Sequence, residues 1–239
     1  MNVHEDPAIA QAAKQHVLER YPKQSMGGVV DGKYVPMEKL YEIEVPVLQA
    51  VIQSRKSKST APSRMDMVNQ QAMSIPWAIF HCNGKTTSEL QWFGDQLPIP
   101  PLLGREFVSG WTDCWCLVRD VYRAQFGIVL ENVPRNEDWS LGETPEDYFS
   151  PENIERTGFK IISPDDARPG DVLLGRVKSK VNNHCALLLK NGYVLQQFFG
   201  ENHRSRRESI AQWARLVSYV GRHKSFVDDP DSIPEIRID

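Results

Sequence analysis

The chain has 239 residues, enough for one large domain or two modest ones, each with its own core. Its 28 Lys and Arg against 31 Asp and Glu leave a formal net charge of -3, so there is no basic footprint for nucleic acid, and Arg55-Lys56-Ser57-Lys58-Ser59 reads as a solvated loop. No stretch approaches the ~20 apolar residues of a membrane span, and Met1 to Ala10 carries acidic residues without the apolar segment of a secretory signal.

Asp6-Pro7 predicts a helix start, with Asp6 as N-cap and Pro7 at the first position; Ala8, Ile9, Ala12, Val17 and Leu18 supply its apolar stripe, and it stops before Tyr21-Pro22. Gly28-Val29-Val30, Asp31-Gly32 and Lys33-Tyr34-Val35 read as strand, tight turn and strand, because Asp-Gly tolerates the positive φ that the turn demands. Glu42 to Val51 adds a strand and the start of a loop. Ser63 is placed to cap a second helix whose Met65, Val68, Ala72 and Met73 are suitably spaced. Pro76 to Phe80 reads as a buried strand, and Asn83-Gly84 turns the chain back toward Leu90 to Phe93.

Leu97-Pro98-Ile99-Pro100-Pro101-Leu102 suits neither helix nor central strand, since proline fixes φ and removes a donor, and it is read as a linker. Beyond it, Leu117, Val118, Val121, Tyr122 and Phe126 recur at helical intervals, with Arg119, Asp120 and Arg123 expected to face water. A polar connection from Asn132 to Ser150 follows, then a short helix over Pro151 to Gly158. Phe159 to Ile162, Asp171 to Leu174, His184 to Leu189 and Tyr193 to Phe199 are strand-like, Ser209 to Leu216 reads as a short helix, and Val217 to Val220 as a closing strand. The segment from Asp228 offers little to bury and is expected to be loose.

Cysteines stand at 82, 114, 116 and 185 without the spacing of a disulfide framework, and Cys114 and Cys116 are badly placed for a bridge within one helical turn, which suits a reducing compartment. Cys114 opens the helix after Gly110, where unpaired N–H groups and the positive end of the dipole favour thiolate. A cysteine nucleophile needs a base and a group that orients it. His184, at the mouth of a buried strand, is the candidate base; Asp113 reads as the helix N-cap, and Trp111 and Trp115 as pocket candidates. The orienting group falls on the next strand. A two-residue turn at Asn191-Gly192 would put Gln197 on the face of His184, and a three-residue loop would put Gln196 there. Either glutamine supplies an amide oxygen for the imidazole N–H.

Asp113-Cys114 before a helix, Arg168-Pro169-Gly170-Asp171-Val172 before a buried strand, and Asn183-His184 opening the next one resemble the NlpC-type family of papain-like cell-wall cysteine peptidases. That resemblance implies Cys114 as nucleophile, His184 as base and, about a dozen positions on, Gln196 as the orienting residue, with the Cys114 backbone N–H and the Asp113 side of the turn as oxyanion candidates. Trp115 and Cys116 replace the serine and glycine usual in the family. In the first half, Tyr21-Pro22, Gly27-Gly28-Val29-Val30, Pro62-Ser63-x-x-Asp66 and Ile75-Pro76-Trp77 are similar to the JAMM-type metallopeptidase domain. Of the zinc site such a domain would hold, only Asp66 survives: Ser25-Met26-Gly27 stands where the glutamate belongs, and Gln53 to Thr60 contains no histidine.

The implied fold class is α+β in two domains: a JAMM-like α/β domain over 1–96 without its zinc ligands, a linker over 97–103, an NlpC-type papain-like domain over 104–224, and an acidic flexible tail over 225–239. This arrangement, with Leu102-Leu103-Gly104-Arg105-x-Phe107-Val108-x-Gly110 before the nucleophile, resembles tail-tip proteins of long-tailed bacteriophages. It implies a cysteine endopeptidase cutting peptidoglycan stem peptides at a D-glutamyl-diaminopimelate bond, with no metal or cofactor. The implied partners are other tail-tip proteins, with synthesis in the host cytoplasm and action in the periplasm or cell wall. The rival expectation is a structural tail component with little or no hydrolysis.

Overall fold

In the computed structural model, which describes residues 2–200, 203–213 and 215–238, the chain divides into two units between Pro98 and Ile99. In the first unit, Asp6 accepts the Ala8 N–H at 2.9 Å and opens helix α1 (Pro7–Arg20). The chain then forms the hairpin β1 (Met26–Val30) and β2 (Lys33–Met37), with Asp31 at φ 48° and Gly32 at φ 70°. β3 (Ala50–Arg55), α2 (Arg64–Met73), β4 (Trp77–His81) and β5 (Gln91–Phe93) follow, and the sheet order is β2-β1-β3-β4-β5. Among the described strands of this unit, β3 and β4 alone run parallel, and α2 is the crossover between them. Ile9, Ala13 and Val17 of α1 pack on Val29, Ile52 and Phe80 of the sheet.

Three expectations for this unit change. The strand begins at Ala50, because Pro46 sits in a 3-10 turn over Val45–Val47, where its missing donor costs no ladder bond. α1 buries Ala13 and leaves Ala12 and Leu18 outside. α2 turns Met65 and Val68 to solvent and buries Asp66, Met67, Gln70 and Met73. Its inward face is partly polar because Asp66 closes a capping box with Ser63 and also accepts from Gln53 Nε2 at 2.7 Å, while it ion-pairs with Arg55.

The second unit holds α3 (Cys114–Val121), which continues into a π turn over Tyr122–Phe126, and α4 (Pro151–Arg156), capped by Ser150. Its strands are β6 (Phe159–Ile162), β7 (Val172–Gly175), β8 (His184–Leu188), β9 (Tyr193–Gln196), β10 (Arg206–Ser209) and β11 (Val217–His223). All pair antiparallel in the order β10-β9-β8-β7-β11-β6. Alternation along the strands makes two cores. Leu174, Cys185, Leu187 and Leu195 face α3, whose Leu117, Val118 and Val121 are each worth roughly 1.5–3 kcal/mol on burial; Leu173, Ala186, Val194 and Val220 face Trp213.

Here too charge patterning misleads. Arg119 and Asp120 are buried: Arg119 Nε donates to Leu130 O at 2.9 Å, and Asp120 pairs with Arg105 at 2.6 Å. The helix expected over Ser209 to Leu216 is instead the end of β10 and one 3-10 turn over Ile210–Gln212; Ala214 lies outside the described residues. The C-terminal segment is not loose. Ile233, Ile236 and Ile238 pack against the α3 core, and Gln125 brackets Arg237, donating to its carbonyl and accepting its N–H at 2.7 Å. Three isoleucines supply the apolar surface that the acidic composition hides.

Candidate active site

Gly110, at φ 78°, turns the chain into the start of α3, and Asp113 closes that turn. One Asp113 oxygen accepts the Cys116 N–H at 3.0 Å; the other accepts the Gly110 N–H at 2.7 Å and the Arg135 guanidinium at 2.5 and 3.1 Å. Burial alone would raise the Asp113 pKa, but Arg135 and these N–H groups hold the carboxyl below its usual range. Cys114 is therefore presented on the first turn of a helix whose entry is fixed by a buried ion pair. It is 6% exposed.

His184 is the first residue of β8. Its ring stacks against Phe198, at 4.4 Å between centroids, and against Trp213, at 4.8 Å, and these two rings also stack on each other at 5.8 Å. Its Nε2 lies 3.3 Å from Gln196 Oε1, and the ring is within hydrogen-bonding reach of Cys114. With Nε2 turned to the amide, Nδ1 is the nitrogen left for the thiol. The register explains the choice of glutamine. Leu188 pairs with Val194 and Leu189 N–H with Tyr193 O, so Lys190, Asn191 and Gly192 form a three-residue loop that brings Gln196 onto the His184 face. Gln197 points the other way, donating to Arg105 O at 2.9 Å and accepting from Arg105 Nε at 3.4 Å.

The three thiols of this unit differ sharply. Cys114 is held well below the ordinary thiol range, first by a hydrogen bond from the Cys185 thiol, then, against the cost of burial, by the hydrogen bond and charge of His184. Cys185 is pushed far up by burial and then by the neighbouring Cys114. Cys116 is pushed up to about 12 by burial and then by the Asp113 charge, and its thiol lies 3.7 Å from Asn132 Oδ1.

Cys114, His184, Asp113 and Trp115 line a cleft of about 510 Å³ together with Trp139 and Phe199. Trp111 is buried and is not among the lining residues. Asp113 cannot donate to an oxyanion, since an ionised carboxyl committed to four N–H donors has no proton to give. Arg135, the Phe198 and Trp213 stack and Glu208 behind Gln196 were not anticipated. All are distant in sequence from the residue they support, and no local spacing marks them.

The amide orientation has a direct test. Gln196→Leu is expected to slow iodoacetamide capture of Cys114 by roughly 10²-fold, because the base loses its orienting oxygen. Gln197→Leu should leave that rate within about twofold and instead lower stability by ~1–3 kcal/mol through the unpaired Arg105 groups. Equal rates for both variants would dissociate Gln196 from the imidazole.

A thiol at a helix N-terminus, an imidazole on an adjoining strand and an amide behind it form the arrangement used by papain-like thiol hydrolases. Residues 103–220 match the NlpC/P60 family. The chain also resembles tail tip assembly protein K of Escherichia phage lambda, 33% identical over 128 residues, which cover 54% of this chain and 62% of that protein's own length. Its counterpart in Escherichia phage N15 is 28% identical over 178 residues, covering 73% of this chain and 69% of that protein. Among solved structures, the NlpC/p60 domain of peptidoglycan hydrolase SagA aligns with a TM-score of 0.35 at 17% identity, over 51% of this chain and 89% of that one. An NlpC/P60 family protein from Bacillus cereus ATCC 10987 aligns with a TM-score of 0.38 at 13% identity, over 87% of this chain and 66% of that one.

Proposed function

We propose that residues 104–224 act as a cysteine endopeptidase on peptidoglycan stem peptides, cutting a bond of the D-glutamyl-diaminopimelate type, in a protein that serves the phage tail tip during assembly or passage through the host wall. The observation that carries this reading is the convergence of Cys114 and His184 at one cleft, with Gln196 buried behind the imidazole. The names of the phage relatives support the tail-assembly role, and the family match supports the peptidoglycan substrate.

In the proposed reaction the Cys114 thiolate attacks the scissile carbonyl carbon, and the Cys114 backbone N–H at the head of α3 donates to the developing oxyanion. The His184 imidazolium then protonates the leaving amine as the C–N bond breaks, leaving a thioester. Water, deprotonated by the neutral imidazole, attacks the thioester and frees the new carboxylate and the thiol. Gln196 holds the ring throughout.

The first unit we read as a non-catalytic domain that packs or docks against other tail-tip proteins. A zinc site of the JAMM type does not fit its residues: Asp66 already holds the Arg55 guanidinium, a cation that would repel a metal ion, and Ser25, Met26 and Gly27 offer no carboxylate. The test is mass spectrometry of diaminopimelate-type muropeptides incubated with the full chain. New fragments ending in D-glutamate support the endopeptidase; intact muropeptides favour a structural tail component.

A further inference from the structure

The polar chain behind the imidazole does not end at Gln196. Gln196 Nε2 donates to Glu208 Oε2 at 2.7 Å, and the other Glu208 oxygen accepts from Arg206 Nη2 at 3.3 Å. Both residues come from β10, the edge strand, where Arg206 lies opposite Gln196 and Glu208 opposite Val194. Gln196 is fully buried, and the Glu208 side chain is 13% exposed.

The two ends of an amide have almost the same shape, so packing alone does not decide which end faces His184; hydrogen-bond partners do. A carboxylate only accepts. With Glu208 behind it, the Gln196 amide finds its partner by turning NH2 toward β10 and oxygen toward the imidazole. That oxygen accepts a proton carried on His184 Nε2 and so leaves the Nδ1 lone pair free to take the Cys114 proton. The flipped amide would donate to Nε2 and put the ring proton on Nδ1, where nothing could receive the thiol proton.

We infer that Glu208 is a positioning residue of this site, fixing through the Gln196 amide the His184 tautomer that accepts the Cys114 proton. The inference rests on the reading of Cys114 and His184 as nucleophile and base, but on no particular substrate. It also explains a neutral amide in the orienting position: a carboxylate at 196 would face a second carboxylate at 208, whereas an amide can accept on one side and donate on the other.

Two measurements on the full chain need no peptidoglycan. In a Cys114→Ser background at about pH 9, above the ordinary imidazole range, nitrogen NMR of His184 should show the proton on Nε2; adding Glu208→Leu should give a mixture of tautomers, and adding Glu208→Gln, which keeps an acceptor, should preserve most of the original signal. With Cys114 intact, Glu208→Leu should slow iodoacetamide capture of Cys114 by about tenfold at an unfolding midpoint close to that of the unmodified chain. An unchanged tautomer and a capture rate within about twofold would overturn the inference, and would leave the peptidase reading standing if muropeptides are still cut. Should Glu208→Leu not fold, Gln196→Glu and its combination with Glu208→Gln decide: the single change should slow capture more than tenfold, and the exchange of the two groups should recover it to within about threefold. Failure of that recovery also overturns the role of Glu208.

Discussion

Cys114→Ala is expected to lower hydrolysis by roughly 10⁴-fold or more, while Cys116→Ala stays within about threefold of the unmodified chain. Three thiols share one neighbourhood, and their surroundings separate them. Only Cys114 has its titration depressed, so at pH 7 to 8 it alone is a substantial thiolate; burial holds Cys116 and Cys185 as thiols. Iodoacetamide followed by peptide mapping should mark Cys114 first. Its rate should persist as pH falls below the ordinary thiol range near 8.5 and drop only when the depressed titration is reached. Because the hydrogen bond from Cys185 is the largest lowering contribution, Cys185→Ala should move that drop to higher pH without removing the nucleophile. Capture at Cys116 ahead of Cys114, or activity that survives Cys114→Ala, would overturn the assignment.

The parts of this site written locally were legible. Gly110, Asp113 and Cys114 lie within five positions, and the cap, the turn and the helix start are written in those residues, while the Arg135 guanidinium that locks the cap comes from 22 positions further on. Strand parity separates Gln196 from Gln197 only through loop length, which depends on Lys190 joining Asn191 and Gly192 in the turn, and neighbouring sequence does not dictate that; the family resemblance alone pointed to Gln196. Arg119 and Asp120 look solvent-facing by helical period because their partners, Leu130 and Arg105, approach from outside the helix. Glu208 escaped notice for a related reason: β10 is a polar edge strand stabilised by pairing with β9, so its residues lack the apolar alternation that announces a strand.

Arg135→Met is expected to cost about 3–5 kcal/mol of stability near neutral pH, because removing one partner strands a buried charge. Asp113 and Arg135 have side chains only 5% and 4% exposed, and the guanidinium supplies two of the donors to one Asp113 oxygen. The pH dependence identifies the mechanism. In the unmodified chain the folded Asp113 titration lies below the unfolded value near 3.9, so its contribution is present above that value and is lost as pH falls through the folded one. In Arg135→Met the largest influence opposing burial is gone, only the Cys116 and Gly110 N–H bonds still act against it, and the folded titration rises above the unfolded value. The variant then gains stability relative to the unmodified chain as acid neutralises the stranded carboxyl. Denaturant unfolding at a series of pH values should show the gap between the two proteins narrowing from about pH 7 toward pH 4. The combination of Asp113→Asn with Arg135→Met removes both charges, keeps an oxygen for the Cys116 N–H, and should cost less than Arg135→Met alone. A gap that does not change with pH would mean that Arg135 acts through its contacts with Asn132 Oδ1 at 3.1 Å and Val133 O at 2.7 Å, and that the entry of the Cys114 helix is held by packing instead of charge.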